Sequence, residues 1–326
     1  AVVFQTLEPQ PIKGRSELVA VFFPLEGKKS VIRSKTELIG RREEKIILGS
    51  ALQGLERDAT SRAVILYGEA GIGKSRLFEE LIRQAETLDL RILRGEGDAI
   101  ERNSLYHAWR GIFHQVLGLD KLLAKPDLSE ADRLEIQSRI ESKLDEADAG
   151  LARYAPLLDV LLPTLIPDNE LTAAMTSEIR ASNTRETLAR LLNHVAQRAP
   201  LLIVMEDLHW FDSASWELLV DVRQKVNPIL LALNTRPLPE PPPKPFEQII
   251  EMPGTQLVRL EAMPLDDVEA VVCQRLGVRS IPSAIGRVIR EKSEGNPFFA
   301  EELAHTLLNS GLMVVEGDEA KIGKRF

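Results

Sequence analysis

The chain has 326 residues, 44% hydrophobic and 28% charged, a balance that excludes a mainly disordered or rod-like chain and allows two domains with part of a third. Forty-one basic against forty-nine acidic residues give a net charge of −8, which argues against direct nucleic-acid binding through a basic face. The one cysteine, Cys273, cannot close an internal disulfide, which fits the cytoplasm, and no apolar run approaches the ~20 residues that a membrane-spanning helix needs.

The chain opens Ala-Val-Val-Phe, with no initiator methionine and no signal-peptide pattern, and reads as a segment of a longer protein. Residues 19–24 read as a strand, preceded by Pro11 and a Lys13-Gly14-Arg15 turn. Residues 63–67 form a short apolar run ending at a glycine. Residues 77–88 carry apolar positions at helical spacing, and 90–93 form another short run. Helical stretches follow at 105–117 and 134–144. Tyr154, Leu157, Leu158, Leu161 and Leu162 then make the i, i+3, i+4, i+7, i+8 stripe of a buried helix face. Residues 179–199 continue as helix. Residues 201–205 are wholly apolar, as a parallel strand covered on both faces requires. A helix at 213–222 and a strand at 229–233 complete the alternation.

Strands alternating with helices predict an α/β fold around a parallel sheet. The stretch at about 100–176 is too long for one crossover and reads as a helical insertion. Six prolines from Pro237 to Pro245 predict a stiff surface loop. After a strand at 257–260, helical patterns at 265–276, 281–292 and 297–308 predict a small helical domain. The expected organisation is an N-terminal piece (1–30), an α/β nucleotide-binding domain (31–254), a helical lid (255–315), and the start of a further domain or a tail (316–326).

Gly68-Glu69-Ala70-Gly71-Ile72-Gly73-Lys74-Ser75 matches G-x-x-x-x-G-K-[ST], followed by Arg76. Glycines let the backbone curl until several N–H groups face one anion, and the helix that follows adds its positive end. In this pattern Gly68, Gly71, Gly73, Lys74, Ser75 and Arg76 bind the phosphates of ATP, Lys74 at the β- and γ-phosphates and Ser75 with its hydroxyl on Mg²⁺. A strand before and a helix after are the context the motif needs. Glu206 and Asp207, at the end of the run 201–205, supply the acidic partners. Glu206 stands where an acid orients Mg²⁺, and Asp207 where a base polarises the attacking water. At the tip of the 229–233 strand, Arg236 is placed to contact the γ-phosphate, with Asn234 or Thr235 to hold the water.

Leu38-Ile39-Gly40-Arg41, the glycine-rich loop, Glu206-Asp207-Leu208-His209-Trp210-Phe211-Asp212, Thr235-Arg236-Pro237 and Gly295-Asn296-Pro297-Phe298 occur in that order. This series resembles the STAND class of signal-transduction ATPases, AAA+-like P-loop proteins. It looks most like those attached to bacterial class III adenylyl/guanylate cyclases and to large LuxR-type regulators. The stretch from Ile100 to Arg110 resembles the cyclase-linked group. The resemblance covers about residues 36–315. It implies that Ile39, Gly40 and Arg41 lie near the adenine, that Arg236 senses the γ-phosphate, and that Pro297 latches the lid on the nucleotide. Locally, Asn296 followed by Pro297 also makes a good helix start without any nucleotide. Arg42 stands where an acid often follows the Gly-Arg pair.

The N-terminal piece, Leu7-Glu8-Pro9-Gln10-Pro11-Ile12-Lys13-Gly14-Arg15 and then Leu18 to Phe22, is similar to the last hairpin of class III cyclase domains. There a lysine matching Lys13 contacts the substrate triphosphate. Such a piece lacks the metal-binding aspartates, so the chain is not expected to cyclise ATP alone. The five histidines show no zinc-ligand spacing. The three tryptophans read as packing residues.

The sequence therefore predicts an ATP- and Mg²⁺-dependent regulatory switch that binds ATP or ADP, hydrolyses ATP slowly, acts on cyclase and other domains of the same chain, and is able to form a homo-oligomer in the ATP state. Two alternatives stand beside it: the ATPase module of a LuxR-type transcription regulator, and a nucleotide-gated scaffold that does not hydrolyse.

Overall fold

The computed structural model describes residues 3–10, 19–25, 37–125, 127–162 and 166–323. Two compact units divide the chain, Ala1–Glu37 and Leu38–Phe326. In the first, β1 (Val3–Gln10) pairs antiparallel with β2 (Val19–Leu25), Val3 opposite Leu25, with an irregular register between Leu7 and Gln10. The strand expected at 19–24 is present. Lys13 and the turn that holds it lie outside the described residues.

The second unit runs α1 (Arg42–Asp58), β3 (Arg62–Tyr67), α2 (Lys74–Thr87), β4 (Arg91–Glu96), α3 (His107–Leu117), α4 (Asp120–Leu123) and α5 (Glu130–Ala147). A 3₁₀ helix (Leu151–Val160), α6 (Glu170–Ala173), α7 (Ser177–Arg198), β5 (Leu201–Glu206), α8 (Ser213–Lys225) and β6 (Ile229–Thr235) follow. Then come α9 (Lys244–Glu251), β7 (Thr255–Arg259), α10 (Leu265–Leu276), α11 (Ser283–Ser293), α12 (Pro297–Asn309), β8 (Met313–Glu316) and β9 (Glu319–Ile322).

Five parallel strands form the sheet in the order β4-β5-β6-β3-β7. The apolar runs of the three central strands β3, β5 and β6 follow from burial on both faces. Side chains alternate across the sheet, so Ile65, Ile203 and Leu231 enter a core built with α3, α5, α7 and α8. Val64, Val204 and Leu230 enter the opposite core, under α1 and α2. The helical insertion thus thickens one face and leaves the strand ends that carry the polar residues open. Trp109 and Trp216 are buried in the first core, as packing residues should be, and Trp109 Nε1 donates to the Ser215 carbonyl at 3.2 Å.

Several elements depart from the sequence pattern. In the stripe from Tyr154 to Leu162 the four leucines are buried as expected and Tyr154 is half-buried, but its first part is a 3₁₀ helix rather than an α-helix. Pro156 inside it has no N–H to donate, which prevents a continuous i to i−4 ladder. The proline run is not loop throughout: α9 begins at Lys244 with Pro245 in its first turn, where a missing N–H costs nothing. The first strand beyond residue 254, β7, pairs with β3 in the main sheet. A third core gathers Val268, Val272, Ile285, Ile289, Ala300 and Ala304 from α10, α11 and α12. It also takes Met313 and Ala320 from the β8–β9 hairpin, so that hairpin closes the helical bundle across the boundary expected at 315. Among the described residues, no helix is long and apolar enough to cross a membrane.

Candidate functional site

The site lies at the carboxyl ends of β3, β5 and β6, where crevices of open α/β sheets form. After Tyr67 the chain turns through the glycine-rich loop. Gly68 N–H donates to the Thr235 carbonyl at 3.2 Å, tying the loop to β6. Gly71 and Gly73 hold φ of 76° and 105°, which side-chain-bearing residues rarely adopt. Gly73 is the N-cap of α2 with no side-chain cap, so the first N–H groups of that helix remain available to an anion. A side chain at Gly73 would meet nothing within 4 Å, which leaves room for such a group. Lys74 is buried, and its Nζ donates to the Gly68 and Glu69 carbonyls at 2.7 and 2.8 Å. Burial is the largest influence on Lys74 and holds its amine below the ordinary lysine value, against the pull of the nearby Asp207 charge. Arg76 follows, half-buried in the first turn of α2.

The acidic partner is not on the adjacent strand. β6 lies between β3 and β5, so the carboxylate reaches the loop across one strand. Ser75 Oγ donates to Glu206 Oε2 at 2.6 Å. Asn234 Nδ2 donates to the same oxygen at 3.1 Å, and Arg94 Nη2 reaches Oε1 at 3.4 Å. Asn234 is 1% exposed, and its Oδ1 accepts the Asp207 N–H at 2.9 Å. One buried amide thereby holds the Glu206 carboxylate and the Asp207 main chain. Asp207 itself sits at φ 55°, a strained conformation for a residue with a side chain. The Ser75 hydroxyl and the Glu206 carboxylate, side by side, are the hard oxygen donors that Mg²⁺ prefers, and the residues fit that ion. Thr235 is not available to hold a water: it is buried, and its hydroxyl donates to the Arg236 carbonyl at 2.9 Å. Arg236 is exposed at the end of β6, near enough for its charge to act on Lys74 and His209.

The helical bundle closes onto this loop from one side. Asn296 caps α12, accepting from Phe298 N–H and Phe299 N–H at 3.1 and 3.4 Å, and Pro297 is the first helical residue. The helix start read from the sequence is therefore in place. Asn296 Nδ2 also donates to the Ala70 carbonyl at 2.8 Å, and Phe298 N–H lies 3.4 Å from the Gly71 carbonyl. From the other side, Arg41 sends its guanidinium to the Ile72 carbonyl at 3.0 Å, the Glu261 carbonyl at 2.8 Å and Glu44 at 3.1 Å. Its pair with Glu44 supplies the local ion pair that Arg42 cannot. Met263 N–H closes the ring by donating to the Gly295 carbonyl at 2.9 Å. Ile39 is half-buried, and a side chain on Gly40 would strike Asp267 of α10 at 2.4 Å.

The structure thus brings Gly68, Gly71, Gly73, Lys74, Ser75, Glu206, Asp207 and Arg236 to one crevice, with Arg41 and Pro297 at its border. Sequence reading missed Arg94, and it gave Asn234 a different task. Arg94 precedes Glu96 on the edge strand β4, whose pairing with Glu206 carried no motif. Asn234 stood out as the one polar residue between the apolar run 229–233 and Thr235. Among the described residues, no cluster of histidine, cysteine and acidic side chains forms a separate metal site.

A parallel sheet with this loop, lysine and paired acids defines the nucleotide-binding P-loop class. The chain belongs to the AAA ATPase domain family, whose model matches residues 37–231, and a domain of unknown function (DUF8739) matches residues 265–321. It is similar to adenylate cyclase type 10 of Rattus norvegicus (24% identical over 288 residues, 87% of this chain and 17% of that protein). The same enzyme of Oryctolagus cuniculus is 22% identical over 284 residues, with the same coverage. The chain thus spans about a sixth of the length of these relatives. An uncharacterized protein of Rhizobium meliloti (strain 1021) is 26% identical over 211 residues, 61% of this chain and 18% of that protein. Among solved structures, the Aeropyrum pernix Orc1 protein in complex with DNA has a TM-score of 0.46 at 12% identity, covering 87% of this chain and 63% of that one.

Proposed function

We propose that this chain is the ATP-binding, slowly hydrolysing switch module of a multidomain cytoplasmic signalling protein of the STAND kind, with a nucleotide cyclase as its output. The observation that carries the reading is the 2.6 Å contact of Ser75 with Glu206, held by Asn234 beside Lys74 and the glycine cradle. Bound Mg²⁺ would be held by Ser75 and Glu206 and would offset charge on the phosphates. Lys74 would leave the Gly68 and Glu69 carbonyls for the terminal phosphates, a charge-assisted contact stronger than the two it gives up. Asp207 would orient the attacking water, and Arg236 would meet the γ-phosphate. Arg41, Asn296 and Pro297 would carry the state of the loop to the helical bundle. The antiparallel pair β1–β2 and the similarity to adenylate cyclase type 10 support a cyclase output over a transcriptional one.

The test is calorimetric titration with Mg²⁺·ATP, followed by single-turnover hydrolysis. Lys74→Ala removes the charge aimed at the terminal phosphates, so ATP affinity should fall at least about tenfold, the effect of losing ~1.5–3 kcal/mol. Unchanged affinity in that variant would overturn the site assignment.

A further inference from the structure

His209 lies in the turn after β5, two residues beyond Asp207, and the proposed function gives it no task. Its side chain is only 10% exposed. Both ring nitrogens are buried without a hydrogen-bond partner. That is costly for an imidazole, and an apolar ring would fill the same space without the cost. The ring is held in place. Trp210 packs against it with centroids 4.7 Å apart. A side chain at Gly97, the residue after β4, would strike the Asp207 carbonyl and meet Trp210 at 3.1 Å, so the chain leaving β4 presses closely on this turn. His209 Nδ1 stands 3.9 Å from Asp207 Oδ1. The charged groups that act on it are Asp207, Arg236 and Lys74, all at the nucleotide crevice, and burial, the largest influence, keeps it neutral near pH 7. A neutral imidazole carries one N–H, and Asp207, whose side chain is 44% exposed, is free to rotate toward it.

We propose that His209 is a positioning residue for hydrolysis: its Nδ1–H donates to one oxygen of Asp207 and turns the other toward the attacking water. This rests on the hydrolytic reading of the site. In the step itself, the water oxygen bonds to the γ-phosphorus. The bond from that phosphorus to the β–γ bridging oxygen breaks, and its electron pair leaves with ADP. The proton of the water passes to Asp207 and then to solvent. His209 neither gains nor loses a proton. The partner of Nδ1 is supplied only when Asp207 is turned for work, which is why that nitrogen is unpartnered in the resting geometry.

Three variants of the full chain test the role: His209→Phe, His209→Asn and His209→Gln, each assayed for Mg²⁺·ATP affinity and for single-turnover hydrolysis. His209→Phe keeps the ring and loses the donor. Its ATP affinity should stay within about twofold and its hydrolysis should fall about 10- to 100-fold, as for loss of other orienting partners. Asparagine places an N–H near the Nδ1 position and should restore most of the rate, whereas glutamine, which reaches the Nε2 position, should not. In an Asp207→Asn background, His209→Phe should cost nothing further, because the two act as one unit. If His209→Phe does not fold, the asparagine–glutamine comparison decides alone. Full hydrolysis in His209→Phe, equal rates for asparagine and glutamine, or an undiminished loss in the Asp207→Asn background would each overturn this role while leaving the ATPase reading intact. A wild-type chain that binds ATP without hydrolysing it would overturn both.

Discussion

Asn234 shows how much one buried amide decides. Its nitrogen holds the Glu206 carboxylate and its oxygen holds the Asp207 backbone, so one amide ties the Glu206 side chain to the main chain of its neighbour. Asn234→Ala leaves a buried N–H and a carboxylate oxygen short of partners, at a cost of ~1–3 kcal/mol for groups left unsatisfied. Thermal unfolding should register that loss, and single-turnover hydrolysis should fall about 10- to 100-fold while ATP still binds through the loop. Asn234→Asp would place a third carboxylate against Glu206 and should lower Mg²⁺ retention less than it lowers stability. Metal titration beside a melting curve separates the two. At this scale the sequence was most informative where chemistry needs a fixed residue type. The loop glycines, Lys74, Ser75, Glu206 and Asp207 were legible because their spacing is local. Arg94 and the true task of Asn234 were not, because they depend on which strands lie side by side, and β6 enters the sheet between two strands that precede it in the chain.

Between elements, the main device is the grip of the helical bundle on the glycine-rich loop. Asn296 reaches the Ala70 carbonyl, Phe298 the Gly71 carbonyl and Arg41 the Ile72 carbonyl, so three successive loop carbonyls are held from two sides. These carbonyls belong to the loop proposed to cradle the phosphates, so a shift of the loop would pull on the bundle. Asn296→Ser keeps an N-cap oxygen but is too short to reach Ala70. Helix stability should change little, and release of a fluorescent ADP analogue should quicken about tenfold, the effect of ~1.4 kcal/mol. Gly71→Ala should act more strongly, since its Cβ would stand 2.7 Å from the Phe298 Cβ. An unchanged release rate in both variants would show that the grip does not govern exchange. Elements whose apolar period is long were legible, among them α2, α7 and β5. The helices α1 and α9 were not. In α1, Leu48, Ala51, Leu52 and Leu55 form the buried stripe, but Ile46, 67% exposed, blurs its edge. In α9 only Phe246 and Ile249 are buried, behind prolines that read first as loop.

For the whole molecule, acid should be destabilising in two stages. Burial is the largest cause that holds His114, His194 and His209 below the ordinary imidazole value of 6.5. Between their folded values and 6.5 the unfolded chain binds more protons, so stability falls as pH drops through that window. Asp132 is lowered to about 2, chiefly by a hydrogen bond from Lys125, and Glu186 is lowered chiefly by one from Lys225. Their contributions are present above the ordinary carboxylate values and are lost as pH falls toward their folded ones. Melting temperatures measured across this range should be highest near neutrality and should decline first below about 6.5 and again below about 4.5. A flat profile between neutrality and pH 5 would contradict the histidine stage. The division of the chain gives a second expectation. All three cores and every candidate nucleotide-site residue lie in the unit Leu38–Phe326. Among the described residues of Ala1–Glu37, the strands β1 and β2 pair with each other. A chain cut to begin at Leu38 should therefore fold and bind Mg²⁺·ATP within about twofold of the full chain, because no loop, acid or lid residue is removed. Gly40 and Arg41 lie close to the new terminus, so the cut also tests whether their contacts with Asp267, Ile72 and Glu261 hold without a preceding segment. A loss of more than about tenfold, or ~1.4 kcal/mol, in the truncated chain would place part of the nucleotide site within the first 37 residues.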